Sequence, residues 1–186
     1  MIDVVAYDPG WPRRFEALRR EYSAALERSG VPFSSIEHVG STSVPGLAAK
    51  PIIDCDIVVA ADEVERASDV LVGLGFRPLG ELGIAQRRAF KEPARFAGTN
   101  TYVTVEGCLS LRNHLQVRDI LRADPGLRAA YGDLKLRIGP TSDTIEEYGR
   151  GKNAMIQEIL ARAGFTDADR ERIDSAQVPT RDEVPR

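Results

Sequence analysis

Glu37-His38-Val39-Gly40-Ser41-Thr42-Ser43-Val44-Pro45-Gly46-Leu47-Ala48-Ala49-Lys50-Pro51-Ile52-Ile53-Asp54-Cys55-Asp56-Ile57-Val58-Val59 is the stretch whose reading decides the fold. Its second half, Pro51 to Ala60, is apolar apart from Asp54 and Asp56, with a proline in front and a polar run behind. That pattern predicts a strand buried on both faces. Residues two apart on a strand project to one side, roughly 6–7 Å apart along the backbone. Asp54 and Asp56 therefore share a face. Two carboxylates at that spacing repel by about 2 kcal/mol at an effective dielectric of ~20, and desolvation adds to the cost. A cation between them removes both penalties, and oxygen ligands point to a hard ion such as Mg²⁺. The alternative, an edge strand with two solvated aspartates, fits poorly with the flanking Ile52, Ile53, Ile57, Val58 and Val59.

Upstream, Ser35 to Val39 reads as a short strand, and Gly40-Ser41-Thr42-Ser43 as a turn of small residues bearing three hydroxyls. Such a turn leading into a helix presents N–H groups to a phosphate. It is not a P-loop, because Gly46 is not followed by Lys-Ser/Thr.

A Gly-Ser turn followed by Asp-x-Asp on the next strand resembles the signature of the polymerase-β-like nucleotidyltransferase superfamily. More narrowly, HVGSTSVPGLAAKPIIDCDIVV resembles the GrpB family, and so do LRNHLQVRDILRADP, AAYGDLK and YGRGKNAMIQEILARA further on. The resemblance runs from about Tyr7 to Ala163. It implies an α/β fold with a mixed sheet of the nucleotidyltransferase type, flanking helices and a helical C-terminal part. It also implies Mg²⁺-dependent transfer of a nucleotidyl group from a nucleoside triphosphate, with ATP the expected one, to an unidentified acceptor. Asp54 and Asp56 are then the metal ligands, and Ser41 with the Gly40, Thr42 and Ser43 turn holds the terminal phosphates. The superfamily adds a third carboxylate from a neighbouring strand, and Glu106 is the candidate. GrpB relatives carry His-x-His near Asn100 and Tyr102, which this chain lacks. That departure keeps a second reading open, a nucleotide- or phosphate-binding module without catalysis. A third reading is a scaffold whose sheet partners another chain.

Phosphates need cations. Lys50 lies beside the motif, and Arg87, Arg88 and Lys91 cluster on a predicted strand; Lys50, Arg88 and Lys91 are the first choices. Arg118, Lys135 and Lys152 fall in helical segments, where solvent-facing or ion-pairing roles are the usual reading. His38, His114 and Cys55 read as structural, Cys55 pointing away from the two aspartates.

Composition sets the outer bounds. The 186 residues suit one α/β domain over residues 1–165, with a polar, disordered tail from 166 to 186. A net charge of −3 gives no sign of a dedicated nucleic-acid surface. No apolar run approaches the roughly 20 residues of a membrane span, and neither a leader nor a disulfide framework is evident. The expected location is the cytoplasm.

Apolar periodicity predicts helices over 13–28, 62–74, 111–123, 127–138 and 145–163, and strands over 76–79, 86–91 and 99–106. In the last strand Thr101, Val103 and Val105 share one face, and Asn100, Tyr102, Thr104 and Glu106 the other.

Overall fold

The computed structural model describes residues 1–177. In chain order the elements are α1 (Trp11–Arg28), β1 (Ser35–Val39), β2 (Ile53–Val59), α2 (Val64–Gly73), β3 (Arg77–Gly80), β4 (Arg87–Lys91), β5 (Thr99–Val105), α3 (Leu109–Ala123), α4 (Pro125–Ile138), α5 (Ile145–Arg162) and α6 (Asp167–Gln177). The five strands form one sheet in the order β1-β2-β5-β4-β3. Only β2 and β5 run parallel; β1 on β2, β4 on β5 and β3 on β4 are antiparallel. The expected mixed α/β sheet is observed.

The two faces of β2 carry different chemistry. Ile53, Cys55, Ile57 and Val59 point into a core shared with Trp11, Phe15, Tyr22 and Leu26 of α1 and Val64, Ala67 and Leu71 of α2. Burial of these side chains supplies the main driving force for this layer, at about 1.5–3 kcal/mol for each large one. Tyr22 is fully buried, so its hydroxyl needs a partner and finds Thr101 Oγ1 at 3.0 Å. Val58, from the other face, packs on Cys108 and Leu111 where α3 begins. Helices α3 to α6 build a second apolar cluster with Val44 and Leu47 of the long β1–β2 connection. Asp54 and Asp56 therefore face the helical half of the molecule, while Cys55 faces the other layer as the sequence suggests.

Three local expectations need correction. The Gly-Ser turn leads only into a single 3₁₀ turn, Ser41–Ser43, because Pro45-Gly46 follows within two residues and stops any helix. The helix predicted from residue 62 starts at Val64, and Asp62 lies in a 3₁₀ turn ahead of it. The tail expected to be disordered from Thr166 is helical over Asp167–Gln177. Its one large apolar side chain, Ile173, is fully buried in the helical cluster, and Asp169 accepts a 3.1 Å bond from Arg112. A single well-placed isoleucine outweighs the polar composition of the segment. Residues 178–186 of that expected tail lie outside the described residues.

Ile173→Ala should lower stability by roughly 2–4 kcal/mol, read from urea unfolding of the full chain. A disordered segment would show no change.

Candidate functional site

The site is built on the polar face of β2. Asp54 sits opposite Asn100 in the parallel β2–β5 register, and Asn100 Nδ2 donates to Asp54 Oδ1 at 2.7 Å. Burial raises the Asp54 pKa, an effect that the Asn100 bond, His114 and the lysines nearby only partly offset. Asp56, two residues on, has no exposed surface. Its Oδ2 bonds His114 Nδ1 of α3 at 2.7 Å, and its Oδ1 has no partner. Burial alone would depress the His114 pKa; the neighbouring Asp56 and Asp54 outweigh it and hold the imidazole above its ordinary value. His114 is thus the counter-charge of this strand.

Gly40 closes the edge of the site. Its φ of +68° and ψ of −173° belong to a region essentially reserved for glycine. A Cβ there would lie 2.1 Å from Asp54 Oδ2 and 2.7 Å from its Cγ. The residue is glycine because the turn presses directly against Asp54. Thr42 ties the turn to the strand by donating to Ile52 O at 3.0 Å. Its single hydroxyl proton is then used, so the 3.1 Å contact with His38 Nε2 requires His38 to donate from that nitrogen. His38 is stacked on Phe15 at 4.6 Å, and burial, with Arg122 and Arg118 nearby, lowers its pKa to about 4. It is a neutral structural group, as the sequence suggests. Ser43 shapes the turn: its hydroxyl donates to Gly40 O at 2.6 Å, and its carbonyl accepts from Arg122 at 2.7 Å.

A cavity of about 260 Å³ lies between this face and helices α3, α4 and α5. Gly40, Ser41, Thr42, Lys50, Asp54 and Asn100 line its sheet side, and His114, Arg118, Tyr131, Tyr148 and Lys152 its helical side. Arg118 is occupied by Glu37 at 2.9 Å and Asp119 at 2.8 Å. Lys50 and Lys152 instead approach the Tyr148 ring, 5.7 and 5.2 Å from its centroid. Behind the wall, Lys135 is 1% exposed, 4.6 Å from the Tyr131 centroid, and its Nζ has no hydrogen-bond partner. Burial and the charge of Lys152 lower its pKa to about 7, with Asp54 pulling the other way. Burial and Lys50 lower Lys152 to about 8, again against Asp54.

The sequence-predicted residues divide accordingly. Asp54, Gly40, Ser41, Thr42 and Lys50 meet at the cavity. Asp56 does not line it; it is fully buried beside His114. Ser43 is in the turn but does not line the cavity. Arg88 is drawn to Glu65 of α2 and to Glu81 of the β3–β4 connection, each at 2.9 Å, so it lies on the opposite side of the sheet. Lys91 is exposed at the end of β4 and pairs with Glu92 at 3.3 Å. Glu106 accepts from Ser34 at 3.2 Å, beyond the end of β5. The register puts it four positions past Tyr102, the partner of Asp56, or roughly 13 Å along the strand. It is not a third ligand. Asn100, a neutral amide, stands at the level of Asp54 instead. The residues that sequence reasoning undervalued are His114, Lys135 and Lys152, each hidden by an ordinary helical context.

The family description "GrpB protein" matches residues 1–162. The chain belongs to the GrpB family. It is 35% identical over 169 residues to UPF0157 protein BH1888 of Halalkalibacterium halodurans, an alignment covering 89% of this chain and 84% of that one. The crystal structure of the conserved protein GrpB from Enterococcus faecalis superposes with a TM-score of 0.76 at 30% identity, over 87% of this chain and 96% of that one. At low identity the structure of the GLD-2/RNP-8 complex aligns at TM-score 0.55 and 15% identity, over 81% of this chain and 60% of that one. That likeness concerns the fold alone.

The Mg²⁺ ion implied by the superfamily resemblance does not fit these residues as they stand. Among the described residues Asp54 is the one carboxylate lining the cavity, and Asp56 is fully buried with one oxygen bonded to His114. Among the described residues, no group of three or more His, Cys, Asp and Glu side chains is placed to hold a metal ion.

Two substitutions check this geometry. Gly40→Ala should destabilise the protein by at least ~2 kcal/mol in urea unfolding, and adding Asp54→Ala should recover part of the loss by removing the two closest clashing atoms. Lys135→Met should stabilise by roughly 1–3 kcal/mol near pH 6, since it deletes a buried cation without a partner. The Lys135 pKa falls from an ordinary 10.5 to about 7 on folding. Between those values the unfolded chain holds the proton and the folded one does not, so stability of the parent rises with pH. The advantage of Lys135→Met should be widest below pH 7 and close toward pH 10, measured by thermal unfolding across that range.

Proposed function

We propose that this GrpB protein binds a nucleotide or a related small phosphorylated molecule in the cavity between the β2–β5 face and α3–α5. The observation that carries this reading is the pairing of Lys50 and Lys152, two cations with no salt bridge among the described residues, around one aromatic ring in one pocket. Such cations attract anions, and the Tyr148 and Tyr131 rings offer flat apolar surface beside them. The nucleotidyltransferase-type fold supports a nucleotide in particular. The cavity volume lies just below the ~300–1,000 Å³ usual for small-ligand sites. It suits a small phosphorylated molecule or the phosphate-bearing part of a larger one.

A second reading is Mg²⁺-dependent nucleotidyl transfer from a nucleoside triphosphate, ATP being the first candidate, to an unidentified acceptor. It is favoured by Asp54 and Asp56 on one strand face beside a Gly-Ser turn. It requires His114 to give up Asp56 and finds no third acid, so binding is the better-supported function.

Isothermal titration with ATP, with and without Mg²⁺, combined with a pyrophosphate-release assay, separates the two. The proposed function expects saturable binding to the parent protein that Asp54→Ala alters and no pyrophosphate release. Release of pyrophosphate that depends on Mg²⁺ selects the transferase, and absence of any binding rejects both.

A further inference from the structure

The lysine that packs behind the cavity wall has no structural reason to be a lysine. Lys135 is 1% exposed, its ammonium finds no hydrogen-bond acceptor, and its only close cationic contact is the Tyr131 ring at 4.6 Å. A buried charge without a partner is costly, and an apolar residue of similar volume would pack the same space without that penalty. The neighbouring charges add to the cost. Lys152 repels it and Lys50 repels Lys152, while Asp54 is the one carboxylate acting on both Lys135 and Lys152. One carboxylate against three ammonium groups leaves this wall with an unmatched positive charge.

The arrangement is also convergent. Lys50 comes from the connection entering β2, where the backbone is pinned by the paired Val5 and Ala49 bridge. Lys135 comes from α4 and Lys152 from α5. Tyr148 stands between Lys50 and Lys152, and Tyr131, which also lines the cavity, stands in front of Lys135. Two chain segments distant in sequence thus bring ammonium groups into one cavity, and a third places the buried Lys135 behind its Tyr131 wall. The Gly-Ser turn offers less to an anion. It is a single 3₁₀ turn with no helix behind it, the Thr42 and Ser43 hydroxyls are spent on carbonyls, and Gly40 presses against the Asp54 carboxylate.

Resting on the proposed binding function, we infer that the ligand's phosphate is held at the α4–α5 wall by Lys50 and Lys152, with the buried Lys135 adding positive charge from behind Tyr131, without a divalent ion, and not by the Gly-Ser turn. The phosphate supplies acceptors to Lys50 and Lys152, and the protein's own cations take the neutralising role that a metal has elsewhere. Binding an anion there favours the charged amines, which explains how the depressed pKa values of Lys135 and Lys152 are tolerated.

The test uses the full chain in EDTA, titrated calorimetrically with ADP and, separately, with inorganic pyrophosphate. Lys135→Met and Lys152→Met should each weaken binding of both probes at least ~10-fold, about 1.4 kcal/mol, with thermal unfolding confirming that each variant is folded. Arg88→Gln removes a positive charge from the opposite side of the sheet and should leave both affinities within about twofold, as expected for a local rather than a long-range charge effect. Added Mg²⁺ should not tighten binding. Parent-like affinity in the folded lysine variants, or binding that appears only with Mg²⁺, overturns the lysine site while leaving nucleotide binding intact. Lysine-dependent binding of pyrophosphate without binding of ADP supports the lysine site and removes the nucleotide reading. Failure of both probes to bind the parent protein overturns the two together.

Discussion

Two carboxylates on a largely buried strand must be compensated before that strand can occupy the middle of a sheet. In this protein the compensation is specific to each. Asp56 is paired with His114 at 2.7 Å, and Asp54 accepts from Asn100 at 2.7 Å while facing the cavity. Much of the architecture follows from that requirement. Helix α3 has to lie across the polar face of β2 to deliver His114, β5 has to run parallel to β2 in a register that sets Asn100 beside Asp54, and the β1–β2 turn has to be glycine where it meets Asp54. The opposite face of the same strand is free of these demands and packs as an ordinary apolar core.

The cavity inherits its character from how that compensation is shared. His114 covers Asp56 and bonds one of its oxygens, and the carboxylate has no exposed surface. Asp54 is left as a single negative charge among Lys50, Lys135 and Lys152. The balance is therefore positive, and an anion completes it better than a divalent cation does. Within the GrpB fold, protein-borne cations stand next to the acidic strand. Shared fold and local chemistry thus make separate contributions to the functional reading.

The parts of the molecule legible in the chain were those governed by short-range pattern. Alternation located β5 and its two faces, the apolar run located β2, and helical periodicity located α1 to α5 within a few residues. The Asp54 side of the site was equally legible, because two acids in an apolar strand have few explanations. Arg88, Lys91 and Glu106 were misassigned because charge on a strand says nothing about which neighbours lie across the sheet. Arg88 met Glu65 and Glu81 on the α2 side, and Glu106 ran past the end of the paired register. Helix α6 was missed because one buried side chain, Ile173, carries its docking, and no periodicity announces a single anchor.

What the sequence by itself determined is local: which segments are strand or helix, that Asp54 and Asp56 share a face, and that a glycine turn precedes them. Those features depend on residues within a few positions of one another, through backbone sterics and the periods of strand and helix. The tertiary structure decided which charges meet. His114 reaches Asp56 across 58 positions in the chain, and Lys50, Lys135 and Lys152 arrive from three separate elements. Electrostatic energy depends on distance and burial in space, so helical lysines that read as surface groups in the sequence became, once folded, the positive wall of the cavity.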